Sequence, residues 1–238
     1  MSRRSRRQPD PALPLWQQGV YWAGVAAVVL VSAWALQLAW ALWQADTRAR
    51  PARAAIVSWS QGRPWTADQF LAAEKLLQQA QAITPDDASL YDDLASLYML
   101  QGSQYDPDSD DEGDTEARRS LYQSALTTLL RSLQLRPQHG VTWANLALVA
   151  YELDPGSAQQ WHAWHQALRF APWEPASRAL MAQVLLLSFE NAPPEALEWF
   201  KTYRSMAPAA EFKRLQQFAQ EYDLAPEAIA MITMQSSQ

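Results

Sequence analysis

ALRFAPWEP, residues 167–175, runs out of one helix-like stretch and into the next across Pro172, with no residue in it that does obvious chemistry. A proline disfavours the helical conformation at the residue before it and lacks an N–H of its own, so it tends to stop one helix and open the turn to another. The same seam recurs at Pro85, Pro137 and Pro208, so that consecutive seams lie 52, 35 and 36 residues apart. Once an insertion is removed from the first interval, the period is near-constant, which is the mark of a repeat array. An apolar residue stands two before each proline (Ile83, Leu135, Phe170, Met206), placed to pack on the neighbouring helix.

Working outward from the seams, helix-start signals are frequent. Thr66 with Gln69 and Ser157 with Gln160 read as capping boxes, and Pro194 suits a first helical turn. The pattern predicts helices near 66–83, 87–101, 117–135, 141–152, 157–170, 175–190, 194–206, 210–222 and 226–235. No stretch alternates apolar and polar residues for long, so the expected fold class is all-α.

Within each unit the residues resemble the tetratricopeptide repeat (TPR), a helix-turn-helix of about 34 residues. First helices carry Tyr91, Leu94, Ala95 and Tyr98, then Trp143, Leu146 and Ala147, then more weakly Arg178, Met181 and Ala182. Second helices carry Ala73, Leu77, Ala80; Ala125, Leu129, Ser132; Gln160, Trp164, Ala167; and Ala196, Phe200, Tyr203. The resemblance implies a short TPR-like α-solenoid of antiparallel helix pairs over 65–208, with 209–238 as C-terminal capping helices. Some such domains hold a peptide's terminal carboxylate with basic inner residues. The matching positions here, Asp92, Ser96, Ala144 and Leu148, are not basic, so that ligand is not expected.

Ahead of the repeats, Val20 to Trp43 is uncharged, with Ser32 and Gln37 as its clearly polar members. A helix of that length rises roughly 36 Å, enough for a hydrocarbon core of ~30 Å. The run is too long for a cleaved signal peptide, and Leu42 and Trp43 stand where small cleavage residues belong. Trp16 and Trp22 at one end, and Trp40 and Trp43 at the other, suit the two headgroup regions. The expectation is a transmembrane signal anchor over 20–43 between a basic tail (1–19) and a connector (44–64) that runs on as helix or as loop. Arg3, Arg4, Arg6 and Arg7 before the span outnumber Arg48, Arg50 and Arg53 after it, which places the N-terminus in the cytoplasm by the positive-inside rule. The repeats then lie in the periplasm of a bacterial inner membrane.

Composition narrows the chemistry. The net charge of -6 argues against nucleic acid as partner, and the absence of cysteine removes disulfides, thiolate nucleophiles and cysteine zinc sites. No nucleophile elbow, phosphate loop or His-Glu zinc motif is present, so no catalytic residue, no cofactor and no enzyme are expected. The acidic insertion at 104–116 sets Asp106, Asp108 and Asp110 at calcium-loop spacing, yet Asp111 and Ala117 stand where an EF-hand needs glycine and glutamate. It reads as a solvated acidic loop ahead of a calcium site. His162 and His165 lie three apart on one helix without a visible third metal ligand. With Trp161 and Trp173, which fit no repeat packing position, they are the candidate partner-binding residues; exposed indoles suit protein partners or polysaccharide.

RPQHGVTWANLALVAYELDPGS (136–157) and ALRFAPWEPASRALMAQVLL (167–186) resemble VpsP-type exopolysaccharide biosynthesis proteins. That resemblance implies a membrane-anchored scaffold that holds membrane or envelope proteins of an exopolysaccharide assembly. A glycan-binding module of that system, or an assembly factor for a pilus, secretion or cytochrome-maturation machine, are the alternatives.

Overall fold

The computed structural model describes residues 14–106, 109–222, 224 and 226–233. The basic cluster Arg3 to Arg7 and the aspartate Asp108 lie outside them. Ten α-helices and no strand occur among the described residues: α1 (Leu15–Ser60), α2 (Ala67–Ile83), α3 (Ala88–Gly102), α4 (Glu112–Leu135), α5 (Gly140–Leu153), α6 (Ala158–Phe170), α7 (Pro175–Leu187), α8 (Pro194–Met206), α9 (Ala209–Glu221) and α10 (Pro226–Thr233). The chain is all-α.

Local chemistry sets the boundaries. Thr66 and Gln69 close a reciprocal capping box on α2, and Ser157 accepts from the Gln160 N–H at the start of α6. Each satisfies backbone donors that a helix start leaves without partners. α4 begins five residues earlier than the sequence pattern suggests: Asp111 caps the Gly113 N–H, and Glu112 and Asp114 fill the first turn, where carboxylates are favoured by the helix dipole. Much of the acidic insertion is therefore a helix start. α7 ends at Leu187, followed by a short 3₁₀ turn (Phe189–Asn191).

α1 is one helix of 46 residues, apolar and exposed across its N-terminal half and long enough to cross a membrane. It does not stop at the connector. Pro51 sits within it on the exposed side, while Ala45, Ala49 and Ala52 are buried against α2 and α3. Small residues at that spacing line one face of a helix and let a neighbour approach closely. The final four turns of α1 thus serve as the first helix of the folded body.

The strongest packing joins α1 with α2, α3 with α4, and α5 with α6, while α1 also packs on α3, α5 on α7, and α7 on α9. Substantial contacts thus join helices one or two places apart in the chain. Trp164, Phe200, Leu77, Leu129 and Leu146 are fully buried between them.

Candidate functional site

Residues of α1, α3, α5, α7 and α9, with Tyr122 of α4, line a groove of about 420 Å3. Its lining is mainly apolar: Ile56 from α1, Met99 and Leu100 from α3, Leu148 from α5, Leu187 from α7 and Phe218 from α9. Ser60, Ser96, Ser103 and Gln183 supply neutral hydrogen-bonding groups. This mix of a largely apolar trough with a few polar groups is what ligand and peptide sites present.

The charged wall of the groove is Glu152, paired with Arg118 from α4. Burial pushes the Glu152 carboxyl above its ordinary range, with Arg118 pulling the other way. Arg118 also lies over the Tyr122 ring, at 5.1 Å from its centroid. Burial, then the charge of Glu152, holds the Tyr122 phenol protonated well above its usual range. The groove at neutral pH therefore offers a neutral phenol, a neutralised ion pair and apolar side chains. That mix of apolar and neutral polar groups suits binding.

The residues singled out from the sequence lie elsewhere. Trp173 is 72% exposed in the turn between α6 and α7. Trp161 is half-buried, drawn edge-on to Trp164 at 6.1 Å, with its indole nitrogen shut off from solvent and without a hydrogen-bond partner. It is therefore not the exposed indole its failure to match the repeat pattern suggests. His162 packs edge-on to Trp143 at 5.7 Å. His165 has Nδ1 2.6 Å from the Trp161 carbonyl and Nε2 3.6 Å from Glu195. The four do not converge on one site. Asp106 and Asp110 are exposed, and among the described residues no three His, Asp or Glu side chains gather to hold a metal ion.

Sequence reasoning missed the groove's two ends, Ile56 and Ser60 on α1 and Phe218 and Tyr222 on α9, because those stretches read as connector and cap. The Ala45, Ala49, Ala52, Ile56 stripe, with its helical spacing of small residues, is the signal that marks the connector as a packing helix.

No family model matches the chain, and no curated protein matches it either.

Proposed function

We propose that this protein is a membrane-anchored interaction scaffold, a short TPR-like solenoid whose first helix is the outward continuation of its own transmembrane span. The observation that carries the reading is the largely apolar groove to which α1, α3, α5, α7 and α9 all contribute, with Tyr122 of α4. Repeat arrays of paired helices present such an extended surface, because each pair packs only on its neighbours. Anchoring by Val20 to Trp43 confines the groove to the bilayer surface and raises its effective concentration near membrane partners. With the N-terminus cytoplasmic, the groove faces the periplasm of a bacterial inner membrane.

The partner class is an envelope or membrane protein, captured by packing into the groove without any reaction. Assignment to exopolysaccharide biosynthesis or export rests on the two stretches at 136–157 and 167–186.

A photo-crosslinking residue placed at Leu148, inside the groove, tests this in native membranes against the same residue at Gln159, exposed on α6. The expected result is a discrete adduct with a membrane or envelope protein at 148 that is absent at 159 and is lost when Met99→Glu is added. Equal labelling at both positions, or none at 148, overturns the reading.

A further inference from the structure

The seams and the membrane stand in a fixed relation. Arg53 on α1 donates to Asp93 on α3, a separation of 40 residues, and Ile56 and Ser96 line the same groove at the same offset. α1 and α3 therefore run parallel. Carrying the offset back along both helices sets Pro85 level with Ala45, two residues beyond Trp43, or about 3 Å of helix rise.

The other seams follow the first. The Ser132 hydroxyl donates to the Ala88 carbonyl at 3.2 Å, and Arg136 reaches Asp92 at 2.5 Å, which brings the Pro137 seam to the start of α3. Gly140, opening α5, lies against Ala171, where an added Cβ would meet the Ala171 Cβ at 2.3 Å, so the Pro172 seam joins the same end. Arg178 near the start of α7 faces Glu211 near the start of α9 at 3.6 Å and brings in the Pro208 seam. All four seams thus occupy the end of the body at which α1 arrives from its apolar half.

That edge carries exposed apolar groups. Trp173, at 72%, is more exposed than any other large hydrophobic side chain outside α1 among the described residues, and Met206 in the next seam is 52% exposed. Trp40 and Trp43 stack at 4.8 Å at the end of the apolar half of α1, the place where indoles suit a headgroup region.

We propose that the seam edge rests on the bilayer, with Trp173 seated among the lipid headgroups as a second contact that tilts the array onto the membrane. This rests on α1 being a transmembrane anchor. An indole is suited to that depth, apolar in body and with one N–H donor. Asp86 and Glu174 share the edge with Arg136 and Arg169, so the edge is of mixed charge and the contact is apolar, equally strong on zwitterionic and anionic lipid. The seams then serve both as helix stops and as the membrane-facing rim, which leaves the opposite rim and the groove free for proteins.

The chain has no cysteine, so single-cysteine variants carry one label each. The full chain, reconstituted in phosphatidylcholine vesicles with a headgroup-level quencher lipid, is labelled with a small fluorophore at A176C beside Trp173, at W43C on the anchor, or at Q61C at the far rim. The expected result is strong quenching at 43 and 176, little at 61, and a several-fold loss at 176 when W173A is added. Quenching at 43 with none at 176 overturns the edge contact and leaves the anchor standing. Absence of quenching at 43 overturns the anchor, and the edge contact with it. Quenching at 176 that is unchanged by W173A, or that appears only with phosphatidylglycerol present, overturns Trp173 as the apolar contact.

Discussion

Arg53 Nε meets the Asp93 carboxylate at 2.6 Å, and the same guanidinium reaches Asp46 at 2.9 Å and the Ser89 hydroxyl at 3.0 Å. One side chain thereby ties the helix that leaves the apolar segment to the first full helix pair. Burial nonetheless raises the Asp93 carboxyl above its ordinary value, with Arg53 opposing. Desolvation thus outweighs the attraction at the carboxyl, while at Arg53 the hydrogen bond and charge of Asp93 and the charge of Asp46 outweigh desolvation and hold the guanidinium charged.

Removing the cation leaves Asp93 with its burial and the charges of Asp92 and Asp87. Arg53→Ala should cost about 1–3 kcal/mol, as lost charge-assisted hydrogen bonds do. A carboxyl raised in the folded state contributes stability that is fully present below the unfolded value near ~3.9 and is lost as pH rises through the folded value. The variant should therefore regain stability as pH falls from neutrality toward that range, more so than the parent chain. Thermal unfolding of both in detergent across this window decides it, and a parallel pH course for the two would refute the account.

Trp164 is fully buried, and its indole N–H donates to the Met181 carbonyl at 3.0 Å, linking α6 to α7. Trp164→Ala should cost about 3–5 kcal/mol through the cavity it opens. Trp164→Phe keeps much of the volume and leaves the carbonyl unpaired, at a cost of about 1–3 kcal/mol. Denaturant midpoints for the two should fall in that order.

The interior of the helical body was legible because prolines and small residues are local signals. Leu94 and Ala95, or Ala196 and Phe200, declare their packing within one turn of sequence. The groove was not legible, since it arises where α1, α5 and α9 converge and no local pattern records that Ile56, Leu148 and Phe218 line one trough. Pro51 obscured α1 further. A proline reads as a stop, yet within a long helix packed on two partners its missing hydrogen bond is outweighed by the contacts of Ala45, Ala49 and Ala52. Trp161 misled for the opposite reason: it matches no repeat position and is drawn inward by Trp164.

Alkaline pH probes two inter-element contacts. Burial, then the hydrogen bond and charge of Glu74, pushes the Tyr98 phenol up to about 12, and burial with Glu211 does the same for Tyr203. Both are raised above the ordinary value near ~10, so their contribution is present below that pH and disappears as pH rises through about 12. Phenolate absorbance and helix content followed together should show these two ionisations coinciding with loss of structure, and Tyr98→Phe and Tyr203→Phe should each flatten part of the drop. Retention of full helix content after complete phenol ionisation would count against it.

Gly140 opens α5 with no room for a side chain, since an added Cβ would also lie 2.7 Å from the Ala171 backbone nitrogen. Gly140→Ala gains about 0.5–1 kcal/mol in helix propensity and loses about 1–3 kcal/mol to overpacking, so the net is destabilising. Adding Ala171→Gly removes the methyl contact and leaves the backbone one, so recovery should be partial. Full recovery would mean that the backbone approach of α5 to the Pro172 seam is not limiting.

Groove polarity can be altered without touching the core, because Met99 and Leu148 are only partly buried. A carboxylate placed at either position stays near solvent in the free protein, so stability should change by less than about 1 kcal/mol. A partner seated there must instead bury that charge against apolar surface, beside a Glu152 already held by Arg118, which costs several kcal/mol. Met99→Glu with the crosslinking residue at Leu148, and Leu148→Glu with it moved to Leu100, should therefore keep the parent's circular dichroism and melting temperature while lowering groove crosslinking by more than about tenfold, the factor that ~1.4 kcal/mol sets. Loss of crosslinking together with loss of helix content would point to damage to the fold. Undiminished crosslinking in both variants would place the partner on another face.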